Sequence, residues 1–145
     1  MKLIVDLKLL PSADQAASLL DTLERANQTA NQLSALAWQH QTFRQFALHR
    51  LAYRPIKEAS GLTSQVIVRL IAKVADAYKL DQTKPRAFRP HGAINYDDRI
   101  LRYKPTAVSI WTTNGRQSIP FTCGERQRAL LASRQGESDL LYRGG

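Results

Sequence analysis

The sequence predicts an α+β fold in which a helical bundle is inserted into a β-barrel-like domain. Three observations carry this expectation: one alternating segment at the N-terminus, a long stretch of helical periodicity after it, and several short alternating segments towards the C-terminus. A lone first strand would leave its backbone N–H and C=O groups without partners, so the economical solution pairs it with the later strands. Residues 1–10 and 82–145 then form one β domain, and residues 11–81 are the insertion.

Each element has its own signature. In residues 2–10, Leu3, Val5, Leu7 and Leu9 alternate with Lys2, Asp6 and Lys8, which gives a strand with one buried face. Pro11 stops it, and Ser12 followed by Gln15 is a capping box that starts a helix near Ala13. The apolar stripe of that helix runs Ala16, Leu19, Leu20, Leu23, Ala26, Ala30, Leu33 and Ala37. A second helix, TFRQFALHRLAYRPIKEASG, is expected to break before Pro55 and to stop at Gly61, with Phe43, Phe46, Ala47, Leu51 and Ile56 inward. Thr63 or Ser64 caps a third, whose stripe is Val66, Ile67, Leu70, Ile71, Val74, Ala75 and Tyr78.

Beyond Asp81 the pattern shifts to Pro-flanked basic turns and short strands. In VSIWTTNGRQSIPF, Asn114-Gly115 predicts a type I′ hairpin turn. ERQRALLASR reads as a short helix and DLLYR as a final strand.

The 145 residues carry 21 Lys and Arg against 12 Asp and Glu, a net charge of +9 that predicts attraction to polyanions, nucleic acid first. The single cysteine, Cys123, excludes a disulfide framework and reads as a buried structural thiol in a reducing compartment. No apolar run reaches the ~18 residues of a membrane span, and Asp6 and Lys8 interrupt any signal-peptide core.

His40, His49 and His91 lack metal-ligand spacing, and the sequence contains no phosphate-binding glycine loop. Asp97 and Asp98 are adjacent, so on a strand they point to opposite faces; a turn or a local salt bridge with Arg99 is the expected role. No catalytic residues and no metal ligands are assigned. The basic residues are more informative. Lys84, Arg86, Arg89, Arg99, Arg102 and Lys104 are interleaved with Phe88, His91, Tyr96 and Tyr103, and Arg69 and Lys73 share one helix face. Cations grip phosphates while aromatic rings such as Phe88, Tyr96 and Tyr103 stack bases.

The opening KLIVDLKLLPSADQAASLLDTLERANQTAN, the segment SQVIVRLIAKVADAYK, and above all FRPHGAINYDDRIL and GERQRALLASRQGESDLLYR resemble the N-terminal part of TnpB (OrfB). TnpB is the RNA-guided endonuclease of bacterial insertion sequences and a relative of type V CRISPR effectors. The resemblance implies a wedge-like barrel with an inserted helical recognition bundle. It also implies that the RuvC nuclease acids and the zinc ribbon, with their Mg²⁺ and Zn²⁺, lie downstream of this sequence, so that the chain carries no cofactor of its own. The implied partners are a guide RNA and double-stranded target DNA, in the bacterial cytoplasm at the nucleoid and away from membranes. Residues matching the family's reader of the target-adjacent motif are Ser64, Gln65, Val68, Ala93 and Asn95. Two alternatives from other classes stand beside it: a truncated regulator of a transposable element that binds DNA or RNA, and a basic protein-interaction module.

Overall fold

A computed structural model of the chain describes residues 6–122, 124, 125, 127, 129 and 137–142. The fold is α+β. Helix α1 spans Ala13–Gln39 and opens on the expected capping box, with Ser12 and Gln15 each accepting from the other's backbone N–H. Of its stripe, Leu19, Leu23, Ala26, Ala30, Leu33 and Ala37 are buried, while Ala16 and Leu20 are half-buried. Helix α2, Gln45–Ser60, ends on Gly61 at φ 68°, a left-handed position that glycine adopts without a Cβ penalty. Helix α3, Ser64–Leu80, buries all seven stripe residues read from the sequence.

Two expectations for α2 are corrected. The helix runs through Pro55 instead of breaking before it. Proline removes one helical hydrogen bond, but Leu48 and Ala52 before it and Ile56 after it are buried in the same core, and that packing holds both halves in line. The buried phase is likewise Leu48, Ala52 and Ile56; Phe46 is 84% exposed and Ala47 is also on the surface.

The strands are β1 (Lys8–Leu9), β2 (Ile94–Tyr96), β3 (Leu101–Tyr103), β4 (Ala107–Thr112), β5 (Gly115–Thr122) and β6 (Ser138–Leu140). They form a four-stranded antiparallel sheet in the order β1-β5-β4-β3 and a two-stranded ladder of β2 with β6. The N-terminal strand joins the later ones, as hydrogen-bond accounting requires: Lys8 lies opposite Thr122, Leu9 opposite Phe121, and the Leu10 N–H donates to the Pro120 carbonyl at 2.7 Å. The two sheet pieces are tied where the Tyr96 hydroxyl donates to the Trp111 carbonyl at 3.0 Å and where the Tyr103 and Ser138 hydroxyls meet at 2.9 Å. No hydrogen-bonded closure into a barrel is found among the described residues.

The β4–β5 hairpin is present, but its turn is not type I′. Thr112 pairs with Gly115, and the positive φ falls on Gly115 (93°) while Asn114 stays negative. A type I′ turn needs positive φ at both central residues; here glycine takes the strained position one residue later, as in a bulged hairpin. The final strand is Ser138–Leu140 instead of DLLYR. Cys123 and most of ERQRALLASR lie outside the described residues.

One hydrophobic core runs from the helices into the sheet, from Leu19 and Leu23 through Tyr78 to Tyr96, Ile110, Ile119 and Leu140. Between α3 and β2 the chain crosses from bundle to sheet with no regular structure. Its backbone groups are met by side chains of α1 and α3. Ser34 donates to the Arg86 carbonyl, and the Tyr78 hydroxyl accepts from the Arg86 N–H at 3.1 Å. The Asn31 amide meets both the N–H and the carbonyl of Phe88, at 2.7 and 3.1 Å. Asn27 donates to the carbonyls of Pro90 and Gly92, at 3.2 and 2.9 Å.

Asn27→Ala should therefore cost about 2 kcal/mol of unfolding free energy in urea titration, because it strands several part-buried groups at roughly 1 kcal/mol each. Burial holds the Tyr96 hydroxyl far above the ordinary tyrosine value of 10.0. The folded chain then keeps a proton that the unfolded chain gives up, so stability should fall as pH rises above about 10. Absorbance titration should show Tyr96 ionising only as the chain unfolds, and Tyr96→Phe should remove that part of the alkaline loss.

Candidate nucleic-acid interface

The residues singled out in the sequence separate into three groups. The first lies on the crossing segment and is largely taken up by the fold. Arg86 faces Asp81 at 3.5 Å. The Asp81 carboxyl is held below its ordinary value, chiefly by the Thr83 hydroxyl and then by the Thr83 N–H. Phe88 packs against the core under the Lys73 ammonium, 5.0 Å from its ring centroid. Lys73 in turn donates to Asn27 Oδ1 and to the Ala93 carbonyl, both at 2.8 Å. Burial pulls its pKa down, partly offset by Asp139. Two of the three Lys73 donors are engaged inside the molecule. Lys84 and Arg89 are exposed.

The second group is a polar network between α3, β2 and β6, and it holds the expected motif readers. The Gln65 amide donates to Asp97 and accepts from Arg99 at 2.9 Å. Asn95 accepts from Arg69 and donates to Asp139 at 2.9 Å. Arg69 also pairs with Glu137 at 2.8 Å, so this cation too is neutralised within the fold. Val68 and Ala93 are half-buried, and Ser64 is exposed at the start of α3. Asp97 also accepts from the Arg99 N–H at 2.9 Å, which is the turn role expected of the acid pair.

Tyr96 does not present a stacking face. It is 1% exposed, and its hydroxyl is bound to Trp111. Strand alternation places it in the core beside Ile94, with Asn95 between them on the other side.

The third group lies around one open surface depression. Arg99, Arg102, Tyr103 and Lys104 line an open concavity of about 400 Å³ together with Ser109 and Arg116. Sheet register builds it. Arg102 lies opposite Ser109, Ser109 opposite Ser118, and Arg116 opposite Trp111, so these side chains share the face turned away from Val108, Ile110 and Ile119. Arg116 is held by Nε to Ser109 Oγ at 2.7 Å and by Nη1 to the Arg99 carbonyl at 3.2 Å. Arg102 Nε donates to the Asp98 carbonyl at 3.3 Å. Among the described residues no carboxylate lines the concavity and none of its four cations forms an ion pair. Arg116 and Ser109 were not singled out in the sequence. The hairpin register would have found them, since pairing β4 with β5 about Asn114 brings Arg116 beside Trp111 and Ser109.

Among the described residues no group of three or more His, Cys, Asp and Glu could hold a metal, and no helix is long and apolar enough to cross a membrane. No protein-family model and no curated protein matches the sequence.

The division between engaged and unengaged cations is measurable. Lys73→Ala should lower stability by roughly 1–3 kcal/mol through the lost partners of Asn27 and Ala93. It should leave the salt dependence of any nucleic-acid binding unchanged, whereas Arg102→Ala should do the reverse.

Proposed function

We propose that this chain binds nucleic acid through the phosphate backbone, as the N-terminal portion of a TnpB-type RNA-guided DNA endonuclease, and does not cut on its own. In this reading the four-stranded sheet and the β2–β6 ladder are parts of a wedge-like barrel, and α1–α3 are the inserted recognition bundle. The guide RNA reads target sequence by pairing, and the protein holds the heteroduplex by its backbone and the DNA beside it by a short motif. Mg²⁺ and Zn²⁺ belong to the downstream nuclease part. The chain would work in the bacterial cytoplasm at the nucleoid.

One observation carries the nucleic-acid reading: around the sheet concavity stand four cations with no carboxylate partner among the described residues, on a chain of net charge +9. Guanidinium forks match phosphate oxygens in pairs, and three of the four cations are arginine. The family reading adds the resemblance of the FRPHGAINYDDRIL block and the pairing of the first strand with β5 across the helical insertion.

A protein-interaction module remains the second reading on one specific observation, the exposure of Phe46 on the outer face of α2 and of Leu80 at the end of α3, each at 84%. The truncated-regulator reading shares the same phosphate chemistry.

Binding of guide-type RNA and of duplex DNA to the full chain, followed by anisotropy across a salt series, tests the proposal. Affinity should fall steeply with salt, and Arg102→Ala with Arg116→Ala should lower the log–log slope by about 2, alike for all sequences. Affinity that does not change with salt would sink the phosphate reading. Loss of a protein partner on Phe46→Ala, with nucleic-acid binding absent, would favour the module.

A further inference from the structure

The sheet concavity is more strongly charged than an internal phosphodiester requires. A phosphodiester within a strand carries one negative charge and two unbridged oxygens. A terminal phosphate monoester carries about −1.5 to −2 near neutral pH and offers three oxygens. Arg99, Arg102, Lys104 and Arg116 meet around one concavity, where among the described residues no lining carboxylate relieves their mutual repulsion. We propose that this concavity seats the phosphate monoester at the end of an oligonucleotide, with the terminal nucleotide beside it. The assignment rests on the phosphate-binding reading above and names the ligand of that site.

The anchoring of the arginines favours end-on recognition. Arg102 is fixed through Nε to the Asp98 carbonyl, and its two terminal nitrogens have no partner among the described residues. Arg116 is fixed through Nε and Nη1, which leaves Nη2. Arg99 is fixed through Nη1 to Gln65, which also leaves Nη2. Lys104 Nζ has no partner among the described residues. The fold thus spends some donors of each guanidinium on orientation and keeps others for a ligand, which lowers the entropy lost on binding.

The volume suits more than a bare phosphate. About 400 Å³ falls within the roughly 300–1,000 Å³ typical of small-molecule sites. Tyr103 pairs with Val108, so its ring lies on the core face, held by Ser138 and packed against Phe121 at 6.3 Å between centroids, and fixes the strand that carries Arg102 and Lys104.

The test compares otherwise identical single-stranded oligonucleotides bearing a 5′-phosphate, a 3′-phosphate or hydroxyls at both ends, labelled internally, by anisotropy on the full chain. At pH 8 one phosphorylated form should bind at least about 10-fold more tightly than the hydroxyl form. The preference should shrink as pH falls through about 6, where the monoester takes up its second proton. Arg102→Ala and Arg116→Ala, with fold checked by circular dichroism, should abolish the preference and keep residual binding. Arg116→Lys should recover less than half of it, because the fork is lost. A nucleoside monophosphate should compete better than inorganic phosphate; equal competition overturns the nucleotide part of the assignment. Equal affinity for all three oligonucleotides, with a steep salt dependence retained, overturns end recognition and leaves the proposed function standing. Absence of binding to any of them overturns both.

Discussion

Residues 86–93 have no neighbouring strand and no helical bonding, yet they join the bundle to the sheet. Their backbone groups must still be satisfied once they lie against the protein. The partners come from one face of α1, where Asn27, Asn31 and Ser34 stand at i, i+4 and i+7 and meet Gly92 and Pro90, Phe88, and Arg86 in antiparallel order. In effect the helix presents a polar edge to an irregular strand. Lys73 closes the arrangement from α3 by bonding both Asn27 and the Ala93 carbonyl, so two helices and the entry to β2 meet at one pair of side chains. The direction in which the sheet leaves the bundle, and with it the placement of every later basic residue, follows from this junction.

That constraint sorts the positive charge. Arg69 and Lys73 face the junction and the β2–β6 ladder, where burial makes an unpaired charge costly, and both are tied to acceptors there. Arg102, Lys104 and Arg116 follow the outward side of β3 and β5, where solvent lets them stand without carboxylates. A composition of +9 cannot distinguish the two fates. What distinguishes them is whether a residue falls on the inner or the outer side of its element, and for the sheet that is settled by register: a slip of one residue would turn Arg102 and Arg116 into the core and bring Leu101 and Ile110 out.

The parts of the fold legible in the sequence were those fixed by local chemistry or by a long, clean period. The Ser12–Gln15 box, the Gly61 stop and the stripe of α3 depend on nearby residues alone. The phase of α2 was not legible because Phe46 and Ala47 are as apolar as Leu48 and Ala52, and only contact with α1 and α3 decides which set is buried. Asn27, Asn31 and Ser34 interrupt α1 with residues that prefer caps and turns, and that misfit was the available signal of a packing partner. Part of the candidate site was legible too. Arg99, Arg102 and Lys104 were found as a run, whereas Arg116 needed the hairpin register. Tyr96 was misplaced among exposed rings because composition was weighed there ahead of strand alternation.

The network around Gln65 and Asn95 sets a condition on any reading of a base edge. Both amides are bonded at both ends inside the protein. Turning Gln65 towards a base leaves the Asp97 carboxylate without that donor and Arg99 without that acceptor, and an orphaned charge costs more than the new bond returns. The exchange balances only if the incoming nucleic acid also satisfies what is released. For Arg99 a phosphate does so directly, since Arg99 already lines the basic concavity. Asp97 keeps the Arg99 N–H through its other oxygen and needs no second donor while it remains in solvent contact. Arg99 thus belongs to both arrangements: Nη1 holds the Gln65 carbonyl oxygen, and the residue lines the basic concavity.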